Sequence, residues 1–340
     1  MKLYESKLYK EDLDRAISFI NLNKLDGKTV FITGGLGLIG STIVDILLSY
    51  GKLKKVYVGA RDYKKFEERF GKNMNASFVE YDALKELKIN FVPDYIICGA
   101  GLASPELYVK KPVETILSNF NGVYKLLDFA KNNHINRLIY ISSSEVYGKI
   151  MSSVPYCEKE YGVIDMDNIR SSYAEAKRAS EMLCKAYCSE YNVDMIIVRP
   201  GHIYGPSAKK SDNRVSSLFA FKAAEGQKLE LKSAGKQRRS YCYSVDCAVQ
   251  ILFTLLKGKK GEAYNIGHDE MISIREMAEM FAKIGGCEVT VTKAELLDSN
   301  CFNPMDNSVL DNRRVKELGY NDVFSSQQGM EHTVRILRGE

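Results

Sequence analysis

Tyr173 and Lys177 stand four residues apart in the stretch SSYAEAKRASEMLCKAY. On a helix that spacing puts both side chains on one face. A free phenol has a pKa of about 10 and is a poor base near neutral pH. A neighbouring ammonium favours the phenolate. Bringing the phenol to about 7 takes about 4 kcal/mol of charge stabilisation. A buried lysine, helped by a cationic nicotinamide ring, would supply much of that, and the pair would then remove a proton from a hydroxyl. A surface helix can carry such a pair by chance, so its weight comes from what accompanies it.

Two other motifs do. The segment SSSEVYG (142–148) follows the apolar run RLIYIS. Ligands of open α/β sheets bind at the carboxyl ends of strands, where a hydroxyl can hold a substrate oxygen while a base takes its proton. Ser143 is the candidate hydroxyl. Glu145 lies two residues on, on the same side of an extended chain. It is a candidate second acid or base, or else a solvated loop carboxylate. Earlier, TGGLGLIGS (33–41) directly follows the strand-like KTVFIT and opens a helix-like run. Gly34, Gly37 and Gly40 have the GxxGxxG spacing that lets backbone approach a pyrophosphate at a helix N-terminus. Leu38 and Ile39 complete the candidate cofactor turn.

The second strand, KKVYVGA, leads into Arg61 and Asp62. NAD sites place an acidic residue at that strand end to hold the ribose hydroxyls. Here Ala60 has that place and Arg61 follows. An arginine can pair a 2′-phosphate, and Asp62 reaches the ribose if the loop curls, so NAD and NADP both stay open. Asp82 and Ala83, at the end of ASFVEYD and just beyond it, are candidates for the adenine side; Asp82 serves equally well as a helix cap.

These residues need a scaffold that collects strand ends. Continuous apolar strands alternating with helices predict an α/β fold: a Rossmann-type, doubly wound parallel sheet with a smaller C-terminal α/β substrate lobe. The expected division is an N-terminal helical extension (1–27), a dinucleotide domain (28–200 and 241–270), and a nucleotide-sugar lobe (201–240 and 271–340). In the extension, Leu13, Ile17 and Ile20 predict an amphipathic helix that packs on the domain. Residues 202–214 read as a loop, and the last fifty as polar and irregular.

Composition narrows the class. The 340 residues are 45% hydrophobic and 27% charged, ordinary for a water-soluble domain. A formal charge of +5 without a dense basic run argues against nucleic acid and suits a phosphate-holding site. No apolar run approaches the length that spans a bilayer, and the charged N-terminus lacks a signal-peptide core. The eight cysteines and four histidines have no metal-ligand spacing, so no metal is expected. Free thiols in a cytoplasmic protein account for the cysteines.

Together TGGLGLIG, SSSEVYG, YAEAK and RPGHIYGP resemble the extended short-chain dehydrogenase/reductase family of nucleotide-sugar enzymes. The likeness covers nearly everything after Lys28. Within that family, CGAGLASPELYVKKPVETILSNFNG (98–122) and GKQRRSYCYSVD (235–246) are most similar to UDP-glucuronate decarboxylases. The resemblance implies Tyr173 as base, Lys177 as its partner and cofactor ribose ligand, and Ser143 as the hydroxyl. Arg239 matches an arginine facing the substrate, and Asn119 matches an asparagine near the active-site helix; Ser144 and Arg214 complete the candidate substrate contacts. It also implies a tightly bound, regenerated NAD or NADP, a nucleotide-diphosphate sugar as ligand, and a homodimer. The shared chemistry is transient oxidation at C4. Decarboxylation, 4,6-dehydration or 4-epimerisation then follows according to the sugar. Ser144 replaces the Asp of dTDP-glucose dehydratases, which favours the decarboxylase over that dehydratase type. The usual diphosphate arginine is missing from 303–320, with Arg313 or Arg314 as substitutes. A non-catalytic dinucleotide-binding regulator is the reading from another class.

Overall fold

Runs such as TVFIT and MIIVRP have no polar face to offer water, and they become central strands buried on both sides. A computed structural model describes residues 3–150, 155–291 and 307–340. It opens with helix α1 (Lys7–Phe19), then β1 (Thr29–Thr33), α2 (Leu38–Tyr50), β2 (Lys55–Ala60), α3 (Tyr63–Phe70), β3 (Ala76–Glu80) and β4 (Tyr95–Cys98). Next come α4 (Pro105–Lys110), α5 (Pro112–Asn133), β5 (Arg137–Ile141), α6 (Ser172–Tyr191) and β6 (Met195–Pro200). The second half holds β7 (His202–Tyr204), α7 (Val215–Ala224), β8 (Leu229–Leu231), β9 (Arg238–Tyr243), α8 (Ser244–Lys257), β10 (Ala263–Ile266) and β11 (Met271–Ser273). It ends with α9 (Ile274–Gly285), β12 (Val289–Val291), β13 (Asn307–Ser308), α10 (Arg313–Glu317) and α11 (Ser326–Arg338).

The main sheet has seven strands in the order β10-β6-β5-β4-β1-β2-β3. Every neighbouring pair is parallel. Strand order reverses between β1 and β4, and such a switch point opens a crevice beyond the carboxyl ends of the strands. Thr33 is in register with Cys98 there. Its hydroxyl accepts from the amides of Gly99 and Ala100, each at 3.2 Å, which fixes the loop after β4 against the first strand. A second sheet, with β9 pairing to β7, β11 and β13, is reached from the carboxyl end of β6 through β7, and β8 pairs with β12.

Helix α1 docks through polar as well as apolar groups. Leu13 and Ile20 are buried. The Tyr9 hydroxyl donates to Asp45 of α2 at 2.7 Å, and Arg69 reaches the same carboxylate at 2.6 Å. Asp12, also buried, accepts from the Tyr243 hydroxyl at 2.7 Å and meets His332 Nδ1 of α11 at 2.8 Å. No helix among the described residues is long and apolar enough to cross a membrane.

Two expectations about the second half need correction. His202 to Tyr204 is a strand rather than loop, because β9 lies alongside to supply backbone partners. The C-terminal stretch is not irregular: α11 starts at a capping box in which Ser325 and Gln328 satisfy each other's amides, and it buries Met330, Val334 and Ile336.

Candidate active site

The glycine turn is shaped by close approach. Gly34 has φ 73°, and a Cβ there would lie 2.8 Å from the Gly99 carbonyl; one on Gly40 would lie 2.4 Å from the Gly34 carbonyl. Only glycine lets β1, the start of α2 and the loop after β4 meet so closely. Gly37 is the N-cap of α2 and has no side-chain cap, so the first-turn amides around Leu38, Ile39 and Gly40 face an anion site. A cradle that side chains would fill fits a dinucleotide pyrophosphate. Asp82 is half-buried and its carboxylate accepts from the Leu84 amide at 3.0 Å. It closes a turn, with no helix following for it to cap. Ala83 is buried against α5, close to Gly122.

The carboxyl end of β5 supplies the next group. Ser143 is extended, and a 3₁₀ turn over Ser144–Tyr147 follows it. That turn presents Glu145 and buries Ser144. Arg170, just ahead of α6, grips Glu145 at both oxygens, at 2.9 and 3.0 Å. The guanidinium also lies 5.6 Å from the Tyr108 ring centre. Tyr108 of α4 stacks on Tyr173 with ring centres 4.3 Å apart and planes within 6°. Glu145, Arg170, Tyr108, Tyr173 and Ser143 thus form one cluster.

Lys177 lies on the face of α6 that carries Tyr173, as the four-residue spacing predicts. It is buried, its ammonium donates to the Ile141 carbonyl at 2.7 Å, and it lies 4.7 Å from the Tyr140 ring centre and 5.8 Å from that of Tyr173. Tyr173 itself is pushed up to about 12, first by burial and second by the Glu145 charge; hydrogen bonding with Ser143 and Tyr108 pulls the other way. The two side chains share a helix face, while the Lys177 ammonium is turned to the Ile141 carbonyl and burial sets the direction for the phenol. Burial also brings Lys177 down to about 8.

Asn119 lies buried on α5. Its amide donates to the Leu102 and Thr115 carbonyls at 3.1 and 2.8 Å, while its Oδ1 has no hydrogen-bond partner among the described residues. Arg214 caps the approach to α7 and pairs with Asp212, and its charge still reaches Tyr173 and Tyr108. Arg239 is buried on β9. Arg313 and Arg314 are committed elsewhere, to Asp311 and to Glu262 with the Ala263 carbonyl.

Three participants were not singled out from sequence: Tyr108, Arg170 and His202. His202 lies among Arg239, Arg214 and Arg170; burial first, then their charges, bring it down to about 3. Arg170 and Arg214 are each paired with a carboxylate, and with Arg239 they surround a neutral ring. The sign of the stability effect follows. The folded chain holds fewer protons than the unfolded chain between about 3 and the ordinary value of about 6.5. His202 therefore costs nothing above about 6.5 and destabilises progressively as pH falls toward 3. Denaturant unfolding across that range should show a shallower acid loss for His202→Asn than for the parent; equal slopes would dismiss this assignment.

Comparison with known proteins agrees with this architecture. The family model described as "NAD dependent epimerase/dehydratase family" matches residues 30–267. UDP-glucuronic acid decarboxylase 1 of Xenopus tropicalis is 28% identical over 326 residues, covering 94% of this chain and 74% of the relative. UDP-glucuronic acid decarboxylase 6 of Arabidopsis thaliana is 31% identical over 271 residues, covering 78% and 77%. The UDP-glucose 4-epimerase of Thermotoga maritima, solved with UDP-glucose, has a TM-score of 0.78 at 24% identity, covering 91% of this chain and 98% of that one. A dTDP-glucose 4,6-dehydratase from Streptomyces venezuelae, solved with NAD, has a TM-score of 0.77 at 23% identity, covering 91% and 97%. A glycine turn at the sheet's switch point, a Tyr–Lys helix and a match running from the first strand through β10 lead to one assignment: the chain belongs to the NAD-dependent epimerase/dehydratase family.

Proposed function

We propose that this chain transiently oxidises a nucleotide-diphosphate sugar at C4 and releases a C6 carboxylate as carbon dioxide, a UDP-glucuronate decarboxylase-like reaction. The observation that carries the reading is the two-point grip of Arg170 on Glu145 beside Tyr173. A carboxylate held at both oxygens by a guanidinium is an acceptor already satisfied and a poor base. Dehydration needs a base to take the C5 proton. Loss of carbon dioxide from a β-keto acid needs none. The names of the curated relatives support the same choice.

In this reading Tyr173, once ionised, takes the C4 hydroxyl proton while Ser143 holds the oxygen. A bound nicotinamide dinucleotide supplies the hydride acceptor and gives the hydride back at the end. Gly34, Gly37 and the first turn of α2 would hold its pyrophosphate, and Lys177 its ribose. Arg214 and Arg239 hold the anionic substrate. When the carbon–carbon bond to the carboxylate breaks, its electron pair passes into an enolate at C4–C5. That enolate takes up a proton from water at C5, and Tyr173 returns its proton to the C4 oxygen on reduction. A homodimer joined through α5 and α6 belongs to the proposal; exposed Ile116, Leu117, Tyr124 and Met182 on that pair support it.

The test is to incubate purified protein with UDP-glucuronate, dTDP-glucose, GDP-mannose and UDP-glucose and weigh the products. The expected result is loss of the mass of carbon dioxide from UDP-glucuronate, from a sample that sediments as two chains. Loss of water would reassign the chain as a dehydratase, and unchanged mass with an altered sugar spectrum as an epimerase.

A further inference from the structure

The end of β2 lies against the glycine turn. The amides of Gly34 and Gly35 both donate to the Gly59 carbonyl, at 2.9 and 3.3 Å. Residues 60–62 therefore follow directly from the strand that braces the turn, where the adenosine ribose of a dinucleotide lies in such folds. Ala60 is buried and offers no polar side chain. Asp62, the carboxylate nearest this strand end in sequence, is committed to its own helix. It accepts from the Lys65 amide at 3.1 Å, and its other oxygen pairs with the Lys65 ammonium at 2.7 Å. Arg61 is exposed and has no hydrogen-bond or ion-pair partner among the described residues; the same holds for Lys64, on a first helical turn without acidic residues.

A ribose 2′-hydroxyl asks for an acceptor at this strand end, and the acceptor present already holds an amide on one oxygen and an ammonium on the other. A 2′-phosphate asks for cations, and two exposed ones stand there with a third neutralising the neighbouring carboxylate. We propose that the adenosine end of this site selects a 2′-phosphorylated dinucleotide, with Arg61 as the specificity-determining residue. The inference rests on the dinucleotide-binding part of the function proposed above. Arg61 can offer two parallel N–H donors to a phosphate and stack on the adenine, which an ammonium cannot do as well. The solved neighbours that hold NAD share the fold at under 25% identity, and their choice of cofactor is not transferred to a turn of different residues.

Calorimetry with NADPH and NADH on the stripped protein decides the matter, together with mass identification of any dinucleotide released by heat. NADPH should bind at least about tenfold tighter than NADH, and the released molecule should carry the extra phosphate. Arg61→Ala should erase most of that preference by weakening NADPH alone; the side chain is exposed, so the variant leaves the core intact. Equal or tighter NADH binding, a preference unmoved in Arg61→Ala, or release of NAD alone would overturn the inference while leaving the dinucleotide reading standing. If neither nucleotide binds, both fall together.

Discussion

Tyr173→Phe is expected to lower turnover by about a thousandfold, the upper-middle of what a positioned proton-transfer group contributes. Cofactor affinity should hardly change, because the ring remains to stack on Tyr108. The pH profile sharpens the test. With the phenol pushed up to about 12, its ionised fraction rises with pH throughout the neutral range. Activity should climb with it until Lys177, brought down to about 8, loses its charge. The phenylalanine variant should lack that climb. A near-normal rate in the variant, or a flat profile in the parent, would remove Tyr173 from the chemistry.

The largest stability effect is expected beneath the site, at Arg199. This side chain of β6 is 1% exposed and gives two nitrogens to Glu181 of α6, the shortest contact being 2.6 Å. Glu181 also accepts from Ser142 at 2.6 Å, and Arg199 donates to the Tyr147 hydroxyl and the Glu158 carbonyl. The Tyr147 hydroxyl in turn donates to Asn265 at 2.6 Å. Taking one partner from a buried ion pair leaves a charge without compensation and costs about 3–5 kcal/mol. Arg199→Met should lose that much in denaturant unfolding, and adding Glu181→Leu should recover a large part of it. If the single variant matches the parent, the pair contributes little, and the floor under Ser142 and Tyr147 is held by packing alone.

Sequence disclosed what is local and hid what is not. The glycine spacing, the tyrosine–lysine spacing and the apolar strands are short-range patterns, and the chemistry of each follows from a few neighbouring residues. The hold of Arg170 on Glu145 joins positions 25 apart, and no periodicity announces it. His202 looked like part of a loop because a three-residue strand has no pattern of its own until β9 lies beside it. The burial that pushes the phenol up is a tertiary quantity, invisible in a four-residue spacing. Helix α11 was legible in principle: Ser325, Gln328 and the apolar residues after them form a start signal that the surrounding polarity masked. Residues 303–306, part of the stretch where a diphosphate arginine was sought, lie outside the described residues.

The buried Asp12 carboxylate has a consequence for the order in which the molecule is assembled. A ribosome releases α1 before α2 and α11, and its Tyr9 finds Asp45 as soon as α2 emerges. Asp12 must wait for Tyr243 and then for His332, which is 320 residues away. Helix α1 can therefore be anchored early at one turn and sealed at the next only once α11 has been made, so the Asp12 side chain stays in water until that helix arrives to cover it.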